Sequence, residues 1–325
     1  MSRHLAKLLE VHLKAYVTDP QVTEISLNTD GRLWVEKAGD NHMVDAGQSI
    51  DAGTARNICQ DLAGDSALSE KTPLAGSDFE AFDSLWRTQV VLNPVVENGP
   101  VFTLRRNVVQ NFTLDQLCAG LERSDLDEMF GEKENPADAA VMEAYRAHDV
   151  SGFLHLAAQA KWNILFSGGT SSGKTTWLRA TLANVAAAER ILCIEDVRDI
   201  HASQPNSLSM KTSSKVTSTD LLKASLRLRP DRVMLGELRG AEAFDFLNAI
   251  NSGHSGGIST LHANSPDGAI ERLAMMVMQA DVSLQRQEII EYCRSMIDVV
   301  IQLHKVGSKR KPTAIKIYRK GLETT

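Results

Sequence analysis

Residues 161–178 read KWNILFSGGTSSGKTTWL, an apolar run followed by a loop rich in glycine and serine and then by helix-favouring residues. Gly168, four further residues and then Gly173, Lys174 and Thr175 match the pattern G-x-x-x-x-G-K-[ST] of a phosphate-binding loop. Glycine lets backbone N–H groups turn toward phosphate oxygens, and the positive end of the following helix dipole points to the same place. The stretch therefore predicts a nucleotide site at the end of a buried strand, in preference to a coincidental polar turn.

The same spacing assigns roles to individual side chains. Lys174 would reach the β- and γ-phosphates of the nucleotide, and the hydroxyl of Thr175 would bind Mg²⁺. A nucleoside triphosphate and Mg²⁺ are therefore the expected ligands. The other loop positions expected to line the phosphates are Gly168, Thr170, Ser171, Ser172, Gly173 and Thr176.

Composition limits the classes of function. The chain has 325 residues, of which 43% are hydrophobic, and this length predicts a large core divided between two domains. The net charge of -6 and the pI near 5.9 provide no general attraction for nucleic acid, so direct nucleic-acid binding is not expected. No apolar run approaches the ~18 residues of a membrane span, and no signal-peptide core opens the chain, so a soluble cytoplasmic protein is expected.

The four cysteines lie far apart and lack metal-ligand spacing. This usage favours a reducing compartment and places the cysteines in the core. They are Cys59, Cys118, Cys193 and Cys293.

The first third of the chain predicts a small α+β domain over residues 1–108. Leucines at near-helical spacing predict an amphipathic helix over residues 3–18, which is expected to pack on its own domain in preference to a membrane surface. Ser49 is expected to cap a helix that runs to about residue 67. The expected strands, separated by turn signals such as Thr29-Asp30-Gly31, are residues 24–28, 32–36, 86–92 and 101–106.

Residues 109–150 are predicted to be a helical, acidic linker. Thr113 with Gln116 and Ser124 with Asp127 resemble capping pairs. Asn135-Pro136 is typical of a helix N-cap followed by proline at the first helical position.

Residues 151–325 alternate strands with helices, which predicts a parallel sheet with helices on both faces. The segment from Asn206 to Thr219 interrupts this alternation and is expected to be a polar loop or an extended segment. The expected strands are residues 164–166, 191–194, 233–235 and 258–261, followed by two last strands at 296–303 and 313–318.

Polar side chains follow several of these strands, at the edge where an open α/β sheet binds its ligand. Glu195 and Glu237 each come directly after an apolar strand and are suited to Mg²⁺ binding and water activation. Two such carboxylates downstream of a phosphate loop favour a catalytic role over solvated strand ends. His254 and His262 bracket the strand 258–261, where a polar site is a better explanation than two structural histidines, and zinc binding is not expected.

Four motifs in the same order resemble those of the type II/type IV secretion ATPase superfamily. GGTSSGKTT resembles its Walker A motif, IEDVRDI its Asp box, LRLRPDRVMLGELRGAEA its Walker B motif and GHSGGISTLHAN its His box. VTEISLNTDGRLWVE and VFTLRRN are similar to the N-terminal domain of its hexameric traffic ATPases of type IV secretion and conjugation, the nearest match. The resemblance implies an α/β fold in which a RecA-like P-loop NTPase domain follows a smaller α+β domain.

The resemblance also implies that the nucleotide is ATP, and it implies roles for residues in the nucleotide site. Lys174 and Thr175 would bind phosphate and Mg²⁺, and Glu237 would be the Walker B carboxylate that orients water and helps to hold the metal. Glu195 would be the acid of the Asp box. Asp199 stands where that box usually has Glu, which puts a second acidic role there in doubt.

Two further pairs are implied by the resemblance alone. His254 and His262 match the His-box histidines, which in the family connect the nucleotide site to movement between domains and subunits. Arg87 and Arg105 match arginines of the N-terminal domain that approach the γ-phosphate, either within one chain or from a neighbouring chain.

At the level of assembly, the resemblance implies a homo-hexameric ring whose nucleotide sites lie between the two domains. The ring would sit at the cytoplasmic face of a bacterial inner membrane, with membrane components of a secretion system and partner ATPases. The basic tail, from His304 to Lys320, is a solvated face in the simpler interpretation and a contact with anionic lipid or an acidic partner in the other. A pilus retraction or assembly motor and a RecA-like DNA motor are the alternative functions.

Overall fold

The structure is a computed structural model that describes residues 2–64, 66, 68–107, 113–119, 121–122 and 135–324. Its N-terminal sheet has six antiparallel strands in the order β3-β2-β1-β6-β5-β4. The strands are β1 Val22–Leu27, β2 Arg32–Lys37, β3 Val44–Ser49, β4 Leu74–Ala81, β5 Ser84–Val91 and β6 Val101–Asn107. The four predicted strands are confirmed as β1, β2, β5 and β6. The sequence analysis missed β3 and β4, because few of their residues are buried and the two strands show no clear apolar alternation.

Three helices pack on this sheet: α1 Arg3–His12, α2 Lys14–Val17 and α3 Ala52–Leu62. The predicted amphipathic segment is confirmed, but as two short helices that meet at Leu13, where φ is -128°. The predicted cap of α3 is wrong. Ser49 is the last residue of β3, whereas the carboxylate of Asp51 accepts the N–H groups of Gly53 and Thr54 at 3.0 Å.

Among the described residues, three helices lie between the sheets in sequence: α4 Leu114–Cys118, α5 Pro136–Arg146 and α6 Val150–Gln159. Asn135 caps α5, with proline at the first turn, as predicted. The expected pair Ser124 and Asp127 lies outside the described residues. Although α5 belongs to the predicted linker, it packs with α6 in a core of the second domain, and the domain boundaries stay a prediction.

The C-terminal sheet has seven strands in the order β13-β12-β7-β11-β10-β8-β9, all parallel except β13. The strands are β7 Ile164–Gly168, β8 Ile191–Glu195, β9 Ser207–Lys211, β10 Arg232–Leu235, β11 Ile258–Leu261, β12 Val299–Val306 and β13 Lys309–Ile317. The remaining helices are α7 Lys174–Leu182, α8 Ser218–Ser225, α9 Glu242–Asn251, α10 Pro266–Val277 and α11 Arg286–Met296. The predicted parallel α/β sheet is confirmed.

Helices cover both faces of this sheet, as the alternation predicts. Ile164 and Phe166 point into a core with α5, α6 and α7, whereas Leu165 points into a core with α8 to α11. Of the segment from Asn206 to Thr219, five residues are extended and form the edge strand β9, because Leu208 and Met210 alternate into the second core.

Three cysteines are buried, but Cys118 is exposed at the end of α4, so its predicted place in the core is wrong. The other three, Cys59, Cys193 and Cys293, each belong to a hydrophobic core, as predicted.

The N-terminal domain rests against the β9 edge of the C-terminal sheet. Val95 and Val96 enter the same core as Leu208 of β9, and the backbone N–H of Lys211 donates to the carbonyl of Val95 at 2.8 Å. Arg190, fully buried between the domains, donates to Asn28 Oδ1 at 2.7 Å. Four strand spacings of about 4.8 Å each separate β7 from β9, which places the N-terminal domain about 20 Å across the sheet from the phosphate loop.

None of the helices among the described residues combines the length and the apolar character needed to cross a lipid bilayer.

Candidate active site

The loop between β7 and α7 has the backbone expected of an anion-binding nest. Ser171 has φ of 59° and Gly173 has φ of 96°, and α7 begins immediately afterward at Lys174. Gly168 has no room for a side chain, because a Cβ atom there would lie 2.5 Å from the carbonyl oxygen of Leu303 in β12 and from Ser172 Oγ. Neighbouring strands therefore determine the shape of the loop as much as its own residues do.

The other predicted loop side chains point in different directions. Ser172 is buried, and its hydroxyl is without a hydrogen-bond partner among the described residues. Thr170 and Thr176 are exposed. Thr170 lines a neighbouring pocket together with His262, on the other side of the loop.

Lys174 is largely buried beneath the loop. Its Nζ donates to the carbonyls of Gly168 at 3.1 Å and Gly169 at 3.3 Å. Burial lowers the pKa of this amine, while the charge of Glu237 opposes that shift. The ammonium group thus binds the loop backbone through these two carbonyl oxygens. When a nucleotide binds, its phosphate oxygens would take their place as acceptors.

His262 connects the lysine to a carboxylate. Its Nδ1 lies 3.4 Å from Lys174 Nζ, and its Nε2 lies 2.8 Å from Glu237 Oε1. The tautomer that carries hydrogen on Nε2 satisfies both contacts, since Nδ1 then accepts from the lysine and Nε2 donates to the glutamate.

The other oxygen of Glu237 is bound by Arg239, whose Nη2 and Nε donate to Oε2 at 2.6 and 3.0 Å. Arg239 Nη1 also donates to Asp196 at 2.9 Å. The sequence analysis did not assign Arg239. Its place two residues after Glu237 was a usable signal, because alternate residues leaving a strand point to the same side.

Glu195 ends β8 on the same edge of the sheet. Its Oε1 accepts the backbone N–H groups of Asp199 at 2.9 Å and Ile200 at 2.6 Å, while the buried Oε2 has no partner among the described residues. Burial raises the pKa of this carboxyl group, and the two backbone hydrogen bonds oppose the shift. An unpaired buried oxygen beside a phosphate loop is a suitable acceptor for an ordered water.

Lys174, Thr175, Glu195 and Glu237 line one pocket of about 210 Å³. The hydroxyl of Thr175 and the carboxylate oxygens are hard oxygen donors, which suit Mg²⁺. No group of three or more His, Cys, Asp or Glu side chains in the described part of the chain could hold a metal ion by itself. Mg²⁺ typically takes one or two protein ligands and completes its shell with phosphates and water, so this donor set fits it.

The structure does not bring His254 to this pocket. His254 precedes β11 and His262 follows it, so the strand separates them by about 13 Å along its axis. His254 lies near Pro230, Asp231 and Lys161, and burial lowers its pKa. The expectation that both histidines surround one polar site is therefore wrong within a single chain. His254 lies toward the amino end of β11 and His262 lies at its carboxyl end, so the two side chains are on opposite sides of the sheet along the strand direction.

Arg87 and Arg105 also lie elsewhere. They face each other across β5 and β6 and line a separate cavity of about 450 Å³ between the domains, with Glu24, Arg227 and Arg229. Among the residues that the structure describes, this cavity is lined by none from the phosphate loop, and the pocket of Lys174 is lined by none from the N-terminal domain. Of the two possibilities that the sequence left open for these arginines, the arrangement within one chain does not bring them to the phosphate loop.

The sequence matches known proteins over nearly its whole length. Residues 139–313 match the model of a family described as type II/IV secretion system protein. The type IV secretion system protein PtlH of Bordetella pertussis is 33% identical, with 97% of this chain and 96% of that protein aligned. VirB11 of Bartonella quintana, also described as a type IV secretion system protein, is 31% identical over 93% of this chain and 90% of its own.

A conjugal transfer protein and a solved structure complete the comparison. TrbB of Rhizobium radiobacter is 30% identical over 95% of this chain and 87% of its own. The crystal structure of the VirB11 ATPase from the Brucella suis type IV secretion system, in complex with sulphate, superposes with a TM-score of 0.88 at 28% identity, covering 98% of this chain and 96% of that one.

Proposed function

This chain belongs to the type II/IV secretion system protein family, and we propose that it is a ring-forming traffic ATPase that powers type IV secretion by ATP hydrolysis. The relatives from Bordetella and Bartonella are type IV secretion proteins, and the similar structure from Brucella is a VirB11 ATPase. The RecA-like domain and the smaller N-terminal domain of that ATPase correspond to the two sheets of this chain.

One geometric observation carries the proposal: His262 contacts both Lys174 and Glu237, at 3.4 and 2.8 Å. The lysine is the cation for the transferred phosphate, and the glutamate is the base or orienting group for water. A side chain that contacts both can report the state of one group to the other. A loop that only binds nucleotide does not require this connection.

The hydrolytic step follows from these positions. On ATP binding, Lys174 exchanges the carbonyls of Gly168 and Gly169 for oxygens of the β- and γ-phosphates. Glu237 orients a water molecule, whose oxygen attacks the γ-phosphorus as the bond to the β-phosphate oxygen breaks, and ADP and inorganic phosphate leave. When Mg²⁺ is bound with the nucleotide, Thr175 and Glu237 would hold it, with Glu195 accepting from a water in its shell.

Glu237 must release one contact to do this, because both of its oxygens are engaged. The contact with Arg239 is the one to break, since Arg239 is 63% exposed and has Asp196 as a second partner. Movement of Arg239 toward Asp196 would free an oxygen of Glu237 for water.

The separation between the arginine cavity and the pocket of Lys174 supports the proposal that the subunits form a ring. Arg87 and Arg105 lie at the far side of the sheet from Lys174, so they would reach a γ-phosphate only if it is bound to a neighbouring subunit. Six such subunits in a homo-hexamer would complete each nucleotide site with the N-terminal domain of the next, and site closure would move one domain against another.

The ring would act at the cytoplasmic face of an inner membrane, beside the membrane components and the partner ATPases of a type IV secretion system. Support comes from the relatives, which are described as parts of such systems. The exposed basic end of the hairpin formed by β12 and β13, residues 304–311, is a surface suited to peripheral contact with membrane or partners.

The two alternative functions have weaker support. A pilus motor belongs to the same superfamily, but the relatives reported above are secretion and conjugal transfer proteins. A DNA motor would require a basic channel, and the net charge of -6 does not favour one.

The test is Lys174→Ala, which should weaken ATP binding by about 1.5 to 3 kcal/mol and abolish hydrolysis, because a charge-assisted phosphate contact is lost. Calorimetric titration, phosphate release and particle imaging for a six-membered ring measure binding, turnover and assembly. Lys7→Ala, which removes an exposed lysine of α1, is the matched control. Near-normal turnover of Lys174→Ala, with circular dichroism unchanged, would contradict the assignment.

A further inference from the structure

Arg310, in the basic hairpin of β12 and β13, touches the phosphate loop at two points. Its Nε donates to the carbonyl oxygen of Ser171 at 2.9 Å. Its aliphatic stem covers the open face of Gly173, where Cβ and Cδ of Arg310 lie 3.2 and 3.3 Å from the position that a Cβ atom would take. The loop residues that would surround the phosphate are thus held in place by a side chain from outside the loop, 139 positions from Ser171 in the sequence.

The two residues that Arg310 touches are those with left-handed backbone in this loop. Ser171 has φ of 59° and Gly173 has φ of 96°. Glycine adopts this conformation freely, whereas serine does so at a cost, because its Cβ approaches the following carbonyl oxygen. A hydrogen bond to that same carbonyl stabilises the strained conformation, and the turned backbone is what directs the loop N–H groups inward.

The topology explains how the hairpin reaches the loop. β12 pairs with β7, and Leu303 lies opposite Gly168, the first glycine of the loop. β12 then continues past the end of β7, and β13 returns beside it with Arg310 opposite Lys305. The hairpin therefore extends beyond the carboxyl end of the phosphate strand, and only one face of it meets the loop.

The two lysines beside Arg310 in the hairpin do not contact the phosphate loop in this way. Lys309 and Lys311 flank Arg310 and point to the opposite face, because side chains alternate along a strand. Both are exposed, and neither has an ion pair or a hydrogen bond to another side chain within the described residues. Arg310 is therefore distinguished from its neighbours by contact and not by charge.

We propose that Arg310 is a positioning residue for the nucleotide: it holds Ser171 and Gly173 in the conformation that binds phosphate, and so sets the affinity of the loop without contacting the reacting atoms. The proposal rests on the assignment of the loop as the nucleotide site. In a ring without nucleotide, Arg310 keeps the loop ready to bind. Displacement of the basic hairpin by any partner would then weaken nucleotide binding through this one side chain.

The experiment compares Arg310→Ala with Lys311→Ala, which removes the same charge from the next residue of the same strand. Arg310→Ala should weaken ADP binding about fivefold and raise the KM for ATP by a similar factor, as expected for loss of one exposed hydrogen bond. Its kcat should stay within about twofold of wild type, since the groups that act on water are unchanged. Lys311→Ala should match wild type in all three quantities.

Arg310→Lys separates position from charge. Lysine keeps the charge but lacks the Nε–H donor, so this variant should resemble Arg310→Ala; affinity equal to wild type would overturn the proposal in favour of a purely electrostatic effect. Equal ADP affinities of Arg310→Ala and Lys311→Ala, or a lower melting temperature and kcat with unchanged KM, would also overturn it. These outcomes are distinct from failure of the nucleotide site itself, which would appear as normal ADP and ATP binding by Lys174→Ala.

Discussion

Glu237 is held from two sides before any nucleotide binds, by His262 at Oε1 and by Arg239 at Oε2. Each contact is charge-assisted or strongly polar, so the side chain has a single orientation toward the pocket. The carboxylate therefore loses little orientational freedom when water arrives, but one of its oxygens must be freed first.

Glu237→Gln should separate binding from chemistry. The amide keeps the shape of the side chain but cannot serve as a carboxylate toward water, so ATP should bind and remain unhydrolysed. Single-turnover measurements should show hydrolysis slowed by at least about tenfold. Glu80→Gln, which makes the same change at an exposed carboxylate of β4, is the matched control and should hydrolyse ATP at the wild-type rate. If the glutamine variant slows less than the stated factor, Glu195 becomes the better candidate for the catalytic carboxylate.

Glu24 should make the stability of the N-terminal domain depend on pH. Burial raises the pKa of this carboxyl to about 8, against an ordinary value of 4.5, although Arg105 beside it opposes the shift. The folded protein thus keeps a proton that the unfolded chain releases. The stabilisation is fully present below about pH 4.5 and is lost as the pH rises toward 8.

Glu24→Gln should remove this dependence, because the amide is neutral throughout. Between pH 5 and 9 the melting temperature of the wild type should fall relative to that of the variant, by the equivalent of about 1 to 3 kcal/mol. Thermal melts of both proteins in a buffer series measure the difference. Parallel curves over this interval would show that the carboxyl group of Glu24 titrates normally.

At the scale of elements, the phosphate loop depends on the strand beside it. β12 runs so close to the end of β7 that the carbonyl of Leu303 occupies the space that a side chain at Gly168 would need. At the next residue, Gly169, no described residue other than its two neighbours in the chain has an atom within 4 Å of the position that a Cβ atom would take, so the two adjacent glycines differ in their surroundings.

Gly168→Ala should therefore destabilise the fold by about 1 to 3 kcal/mol, as overpacking typically does, and weaken nucleotide binding. Gly169→Ala should leave the melting temperature nearly unchanged. Differential scanning calorimetry of the two variants makes the comparison. Equal melting temperatures would mean that β12 moves away easily and does not shape the loop.

For the whole molecule, the decisive feature is the separation of two pockets within one chain. The pocket of Lys174 lies at the carboxyl ends of β7, β8 and β10, whereas the arginine cavity lies between the N-terminal domain and the residues that precede β10. A ring in which one subunit's arginines face the next subunit's phosphate loop would bring the two pockets together.

Arg105→Ala tests this arrangement through the nucleotide. Loss of a γ-phosphate contact should lower turnover and weaken ATP binding by about 1.5 to 3 kcal/mol, with ADP affinity nearly unchanged. In this chain Arg105 is 70% exposed and lies 3.7 Å from Glu24, a contact worth at most about 1 kcal/mol. An equal effect on ATP and ADP, or none, would remove Arg105 as a γ-phosphate sensor.

Mixing variants distinguishes action within a chain from action between chains. Arg105→Ala subunits retain Lys174, and Lys174→Ala subunits retain Arg105, so rings that contain both should regain part of the ATPase activity if the arginine acts on a neighbour. A mixture no more active than its separate components would place the arginine contact within one chain.

The sequence by itself determined the features that depend on local chemistry. The glycine spacing around Lys174 identified the phosphate loop, the alternation of apolar strands and helices identified the parallel sheet, and acidic residues after strands located Glu195 and Glu237. These patterns can be recognised in a sequence because each is local. The conformation of a turn, the burial of a strand and the position of a ligand site at a strand end are all determined within about twenty residues of chain.

Only the tertiary structure decided which distant residues meet. It separated His254 from His262 by the length of β11, placed Arg87 and Arg105 in a different cavity from Lys174, and brought Arg310 onto the phosphate loop. Strand order and domain docking produce these contacts, and neither leaves a periodic signal, because the residues involved are polar, exposed and far apart in the chain. Their roles depend on a few long-range hydrogen bonds, which one side chain's type and spacing cannot specify.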